Sequence, residues 1–255
     1  MKRILFAALA LIVGHLAFAQ TSPSAGALTT PAPSTTPTPS FHRFVFSANA
    51  GAGIPTGSFG KGDYADERSG FASTGGHFNL TGTYYISKRF GIGVLLGYSQ
   101  FGFKGSQSLS DGYKEDSGTD STTLFTKGQN HSLSMLAGPS FNIPLGKKLK
   151  VGLRAMGGYV STHLAGFQIF YEDYTDNSMT QRGASGGGFG FQLGAGLSYP
   201  ITSCIAVQAN ADYFSSRPRI DMEYDDFVVN SGRRLNAYDQ SISGLNVTLG
   251  LAFSL

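Results

Sequence analysis

The sequence predicts an all-β fold, an eight-stranded antiparallel up-and-down transmembrane β-barrel. Three observations carry this reading. Eight stretches alternate large apolar residues with small or polar ones at a period of two, the period of a strand with two different faces. The links between those stretches run long, short, long, short. All but one of the 16 acidic residues fall in the long links.

The strands follow in order. Residues 43–54 set Phe44, Phe46, Ala48, Ala50, Ala52 and Ile54 against Ser47, Asn49, Gly51 and Gly53. Residues 73–86 set Phe78, Leu80, Tyr84 and Ile86 against His77, Asn79, Thr81, Thr83 and Tyr85. Residues 90–98 place large apolar side chains at even positions and Gly91, Gly93, Leu95 and Gly97 between them. In 131–143, Leu133, Met135, Ala137, Phe141 and Ile143 oppose Ser132, Ser134, Gly138, Ser140 and Asn142. Residues 149–160, 189–200 and 205–214 repeat the scheme. The last stretch, 244–255, alternates Leu245, Val247, Leu249, Leu251, Phe253 and Leu255 with Asn246, Thr248, Gly250, Ala252 and Ser254. No helical stripe is expected beyond residue 40. Links 55–72, 104–128, 164–186 and 217–240 are long, whereas 87–89, 144–148 and 201–204 are short. That alternation matches an up-and-down barrel with outward loops and periplasmic turns.

Charge separates a membrane barrel from a soluble one. Within the strands only Arg43, Lys150, Arg154 and Asp212 are charged. The polar face of a soluble barrel would meet water and carry many more. A small neutral face suits a narrow lumen filled by side chains. The opposite face suits hydrocarbon, where a Lys or Arg at mid-depth costs about 2–4 kcal/mol. The short turns hold Lys88, Arg89, Lys147 and Lys148 and no acid. Mere loop polarity does not explain such a division. Tyr84, Tyr85 and Phe90 at one rim, with Tyr98, Tyr159 and Tyr213 toward the other, read as interfacial girdles. An open edge would strand amides in lipid, so the sheet must close.

The N-terminal residues predict the compartment. Lys2-Arg3, an apolar run from Ile4 and the Ala17-Phe18-Ala19 site read as a signal peptide over residues 1–19. Residues 20–42 are rich in Pro, Thr and Ser and predict a disordered periplasmic tail before the barrel of 43–255. Cys204 is the single cysteine, so no internal disulfide or thiolate cluster is available. The net charge of +3 includes Lys2 and Arg3, and no basic cluster with interleaved aromatics points to nucleic acid.

With a leader, eight amphipathic strands and the C-terminal run Leu-Gly-Leu-Ala-Phe-Ser-Leu (249–255), the chain resembles bacterial outer-membrane β-barrel domain proteins, the porin-family and PorT-like small barrels. The resemblance covers residues 43–255. It implies the cell outer membrane as location, outer-membrane lipid as surroundings and the barrel-assembly machinery as a partner. It carries no catalytic residue over. Assembly signals of such proteins usually end in an aromatic; here the chain ends at Leu255, with Phe253 two positions earlier on the same face.

Among candidate functional residues, Arg154 and Asp212 share the lumenal face by parity. Because a lone buried charge is unfavourable, they are expected to pair. His77, Tyr85, Gln192, Gln208 and Asn246 lie on the same face and are expected to extend a polar network around them. A lipid-modifying enzyme would need a nucleophile and a base on one face near the outer rim. Ser161 and His163 share parity there, with Glu172 following in the next link, whereas His131 has the wrong parity for Ser132 or Ser134. Asp225-Asp226 reads as a solvated dipeptide rather than a divalent-ion site. Gly51, Gly91, Gly93, Gly152, Gly194 and Gly196 lie on strands, not before helices, so a nucleotide loop fails its context test. The expectation is a non-enzymatic barrel without cofactor or metal, which acts structurally or binds a surface protein or ligand through 104–128 and 217–240. A small passive channel is the alternative, and a lipid-modifying enzyme comes third.

Overall fold

The computed structural model describes residues 42–146, 148–171, 178–226 and 234–255. Its eight long strands are β1 (Phe44–Thr56), β2 (Ala72–Tyr85), β3 (Phe90–Phe103), β5 (Asn130–Leu145), β6 (Leu149–Leu164), β9 (Ala184–Pro200), β10 (Ile205–Ser216) and β13 (Ile242–Ser254). Each pairs antiparallel with its neighbour in that order, and β13 returns to β1, so the sheet closes into a barrel. The leader and tail expected over 1–42 lie outside the described residues except for His42, as do Lys147 and Glu172.

Parity sorts the side chains as the alternation predicts. Phe46, Leu80, Val94, Met135 and Leu249 are exposed on the outer wall, while Asn49, Asn79, Asp212 and Thr248 are buried within the barrel. An apolar belt open on every strand is stable only against lipid. The long strands run from 12 residues in β10 to 17 in β9. Since about 9–11 tilted residues cross the hydrocarbon, the wall stands proud of it. No described helix is long and apolar enough to cross a membrane; the strands cross it.

The short turns are tied by side chains. Ser87 Oγ accepts from the Phe90 amide at 3.1 Å, and Thr202 Oγ1 accepts from the Ile205 amide at 3.0 Å. Aromatic pairs collar this rim: Phe44 with Tyr84 at 4.9 Å between centroids, and Phe90 with Phe141 at 5.0 Å. Tyr85 is not part of the collar. It points into the lumen and is buried, because it has the opposite parity to Tyr84.

The long links depart most from expectation. Link 104–128 contains a helix, α1 (Ser106–Ser117), and strand β4 (Thr122–Lys127). Links 164–186 and 217–240 contain β7 (Gly166–Tyr171), β8 (Ser178–Gln181), β11 (Arg219–Asp226) and β12 (Arg234–Asp239). These strands build a sheet in the order β4–β7–β8–β11. It joins the barrel where β11 pairs with β9 through Arg219↔Gly187 and Ile220↔Gly186, and β12 pairs with β11. Helix α1 has no side-chain cap at Gly105 and is polar throughout except for Leu109 and Tyr113. Its stability comes from packing: Leu109 is buried in a cluster with Phe167, Ile169 and Tyr171 that Tyr113 and Tyr64 flank. Tertiary contact overrides weak local propensity here.

Candidate functional site in the lumen

The centre of the lumen holds an ion pair. Arg154 of β6, Gly194 of β9 and Asp212 of β10 stand side by side in one cross-strand row. Arg154 lays its guanidinium over Gly194 and donates to both carboxylate oxygens, Nε to Oδ1 at 2.6 Å and Nη2 to Oδ2 at 2.5 Å. The Asp212 side chain is fully buried and that of Arg154 is 12% exposed. A Cβ at position 194 would overlap Asp212 Oδ1 and approach Arg154 Nε, so the missing side chain makes the bidentate geometry possible. The pair therefore runs along the wall rather than across the barrel.

Beside it runs a chain of amides. Asn210 Nδ2 donates to Asn49 Oδ1 at 3.1 Å, and Asn49 Nδ2 to Asn79 Oδ1 at 2.8 Å. Asn79 Nδ2 then meets His77 Nε2 at 3.1 Å, and His77 Nδ1 meets Ser99 Oγ at 2.8 Å. With Asn79 as donor, the neutral imidazole carries its proton on Nδ1 and gives it to Ser99. Every link in the chain is then oriented the same way, which favours one rigid arrangement. Asn49, Asn79, Ser99 and Asn210 alternate correctly in the sequence, but only the barrel register brings them together.

The other expected network members are placed unevenly. Tyr85 and Asn142 line the same cavity near the short-turn end. Gln208 lines a cavity of about 70 Å³ with Ser47, Thr83, Tyr85, Ser140 and Arg154. Asn246 is buried next to Gly53, and Gln192 is buried with its Nε2 lacking a hydrogen-bond partner. The lumen is not polar throughout. On the long-link side of the ion pair, Leu95, Phe101, Leu136, Met156, Val160 and Phe214 are buried in one cluster that continues to Phe59, Ile220, Met222 and Ile242. The expected small neutral lumen is thus interrupted by an apolar layer, although Ser99, Ser132 and Thr162 are buried toward the long links as well. Inward Leu, Met and Phe were visible in the alternation but not their convergence.

The expected Ser161–His163 pair is not the one that forms: His163 Nδ1 hydrogen-bonds Ser185 Oγ at 2.9 Å, and Glu172 lies outside the described residues. The backbone of Asp225 and Asp226 belongs to β11, while their side chains lie outside the described set. Among the described residues, no three or more His, Cys, Asp or Glu cluster as metal ligands.

Comparison with known proteins places this geometry. A family model described as the outer membrane protein beta-barrel domain matches residues 5–253. A search of curated proteins returns no match. Among solved structures, a major outer membrane protein from Thermus thermophilus is similar, with 14% identity and a TM-score of 0.50; the alignment covers 84% of this chain and 100% of that one. Ail, the attachment invasion locus protein of Yersinia pestis, aligns with 13% identity over 84% of this chain and 99% of its own, with a TM-score of 0.43. Neisserial surface protein A aligns with 13% identity over 83% of this chain and 97% of its own, with a TM-score of 0.44. At these identities the likeness is one of fold.

Proposed function

We infer that this chain, which belongs to the outer membrane protein beta-barrel domain family, is a non-enzymatic barrel that acts at the cell surface through its long links. The observation that carries the reading is the filled lumen. The Arg154–Asp212 pair lies buried against the wall at mid-height, and Leu95, Leu136, Met156 and Val160 are buried beside it on the long-link side. Such a barrel offers solutes no evident path, so its work falls to the structured links, which hold nearly all the acid. In this reading residues 1–19 direct export, 20–42 remain in the periplasm, and the barrel-assembly machinery inserts 43–255. A structural role in the membrane and contact with a surface partner through 104–128 and 217–240 both belong to it.

The second reading is a small passive channel. The cavity beside Arg154, together with the unpartnered Thr81 Oγ1 and Gln192 Nε2, favours some water in the lumen. Planar-bilayer recording separates the two readings. A silent bilayer is expected, and discrete, reproducible conductance steps from the purified chain would overturn the first reading. Orientation has its own test, because the exposed Cys204 sits in a short turn. A membrane-impermeant thiol reagent should leave Cys204 unlabelled on intact cells and label it after lysis. A Cys204→Ser chain carrying Asp111→Cys in α1 should be labelled on intact cells. The opposite pattern would reverse the topology.

A further inference from the structure

The lumen toward the short turns holds a polar cavity with a cation on its floor. Val45 near the start of β1, Tyr85 at the end of β2 and Ser198 near the end of β9 line it, so it lies at that end of the barrel. Ser47, Thr81, Thr83, Ser140 and Gln208 supply hydroxyl and amide groups, and Arg154 lies at the inner limit. Asp212 does not line the cavity. Its carboxylate is fully buried behind the guanidinium, while the Arg154 side chain keeps 12% exposure. The cavity therefore meets the positive end of the ion pair.

Two polar groups there lack partners. Nε and Nη2 of Arg154 serve Asp212, and Nη1 has no hydrogen-bond partner among the described residues. Thr81 Oγ1 is buried and also unpartnered. Such a group is normally satisfied by a water or an ion. Charge decides between the two. Lys150, Gly152 and Arg154 share one face of β6, which puts the exposed Lys150 at the mouth, opposite Ser198 of β9. Arg43, Lys88, Arg89 and Lys148 are exposed around the same rim. The short turns hold no acid, and Asp212 is the one acid in the eight long strands. A cleft lined by one sign of charge between low-dielectric walls concentrates counter-ions.

We propose that this cavity binds a small soluble oxyanion of the phosphate type, between Lys150 at the mouth and Nη1 of Arg154 at the floor. A guanidinium suits this class because its planar N–H groups match the oxygens of the anion. Hydroxyls such as that of Thr81 can donate to the oxygens that remain. The volume of about 70 Å³ suits an ion of that size. A lipid phosphate is tethered to tails outside the wall, so the ligand is a soluble one. Nothing need cross the barrel, since Leu95, Leu136 and Met156 are buried beyond the ion pair. The site stands whether or not the lumen conducts.

The test uses the full chain, refolded in detergent and held in Tris chloride, with inorganic phosphate as the probe. Isothermal titration should show one phosphate per chain at sub-millimolar concentration, weakened by added sodium chloride. Gly152→Val keeps both cations, and its Cβ meets Asn142 Oδ1 only at 3.4 Å. Its side chain fills the cavity and should abolish binding. Lys150→Gln should weaken binding about threefold, as expected for an exposed charge. Lys127→Gln in β4 removes the same charge outside the barrel and should change nothing. Heat-modifiable electrophoretic mobility verifies that each variant has formed its barrel. Should Gly152→Val fail to fold, Lys150→Gln decides, because it alters only an exposed side chain. A wild type that binds no phosphate would overturn the proposal. So would wild-type affinity in either cavity variant, which would place any bound ion on the rim alone.

Discussion

Two ion pairs of the same chemistry sit in opposite settings. Arg154 and Asp212 meet inside the barrel, held bidentate over Gly194. Lys61 and Asp66 meet at 2.8 Å in the link after β1, where Arg68 also reaches the Asp66 carboxylate at 3.4 Å. There the Lys61 side chain is 56% exposed and that of Arg68 is 83% exposed. Water and salt screen the second set, and little stability is expected from it. In the lumen neither partner can turn to bulk water, so each depends on the other. What differs is not the residue types but what remains when one of them is removed.

The largest effect follows from that dependence. Arg154→Ala and Asp212→Ala should each cost about 3–5 kcal/mol, because each leaves a buried charge alone. The double variant leaves no orphan charge, so it should lose less than the sum of the singles. Urea unfolding of the refolded barrel in detergent measures all three. Strictly additive losses would erase the contrast between the lumen and the link.

A somewhat smaller loss belongs to the apolar layer. Leu136 is buried among the lumenal hydrophobics, and Leu136→Ala should cost about 2–5 kcal/mol through lost burial and the cavity left behind. The same unfolding assay applies. A loss under about 1 kcal/mol would mean that this layer is loosely packed and the barrel rests on its polar half.

The smallest effect is local to the surface set. Hydrogen bonds from Lys61 and from the Arg68 backbone lower the Asp66 pKa to about 2. A folded-state pKa below the ordinary carboxylate value means the interaction is fully present above the unfolded pKa, near 4, and is lost as pH falls through about 2. Pepsin works across that window, and the link offers it Phe59 and Tyr64. Cleavage within 57–71 should be slow at pH 4 and fast at pH 2, with the barrel strands intact at both. Asp66→Asn should be cut readily at both. Equal cleavage of the wild type at the two values would show that Asp66 does not order this link.

The C-terminal strand and the link after β3 show why some of the structure was legible and some was not. Strand β13 alternates cleanly from Leu245 to Phe253, and its outward residues are those that parity assigns. Helix α1 has no apolar stripe, and nothing within its own residues identifies Phe167, Ile169 and Tyr171 as the partners of Leu109. The lumenal face was likewise legible and its contacts were not. Parity put Arg154 and Asp212 on one face, but it also put Gln192 there, whose amide nitrogen finds no partner.

The sequence by itself determined whatever one strand decides within itself. A period of two assigns each side chain to lipid or lumen, and the link lengths and their acids distinguish the two ends. These are local properties, set by the pleat and by the unfavourable transfer of charge into hydrocarbon. Only the tertiary structure decided what depends on register between strands. It aligned Arg154, Gly194 and Asp212 in one row, joined Asn210 to Ser99 through three intervening side chains, and set His131 opposite His163. Register is a relation between segments far apart in the chain, and a shift of one residue turns every side chain of a strand to the other face. Closure of the barrel selects that register, because no strand can slip without breaking its pairing on both sides.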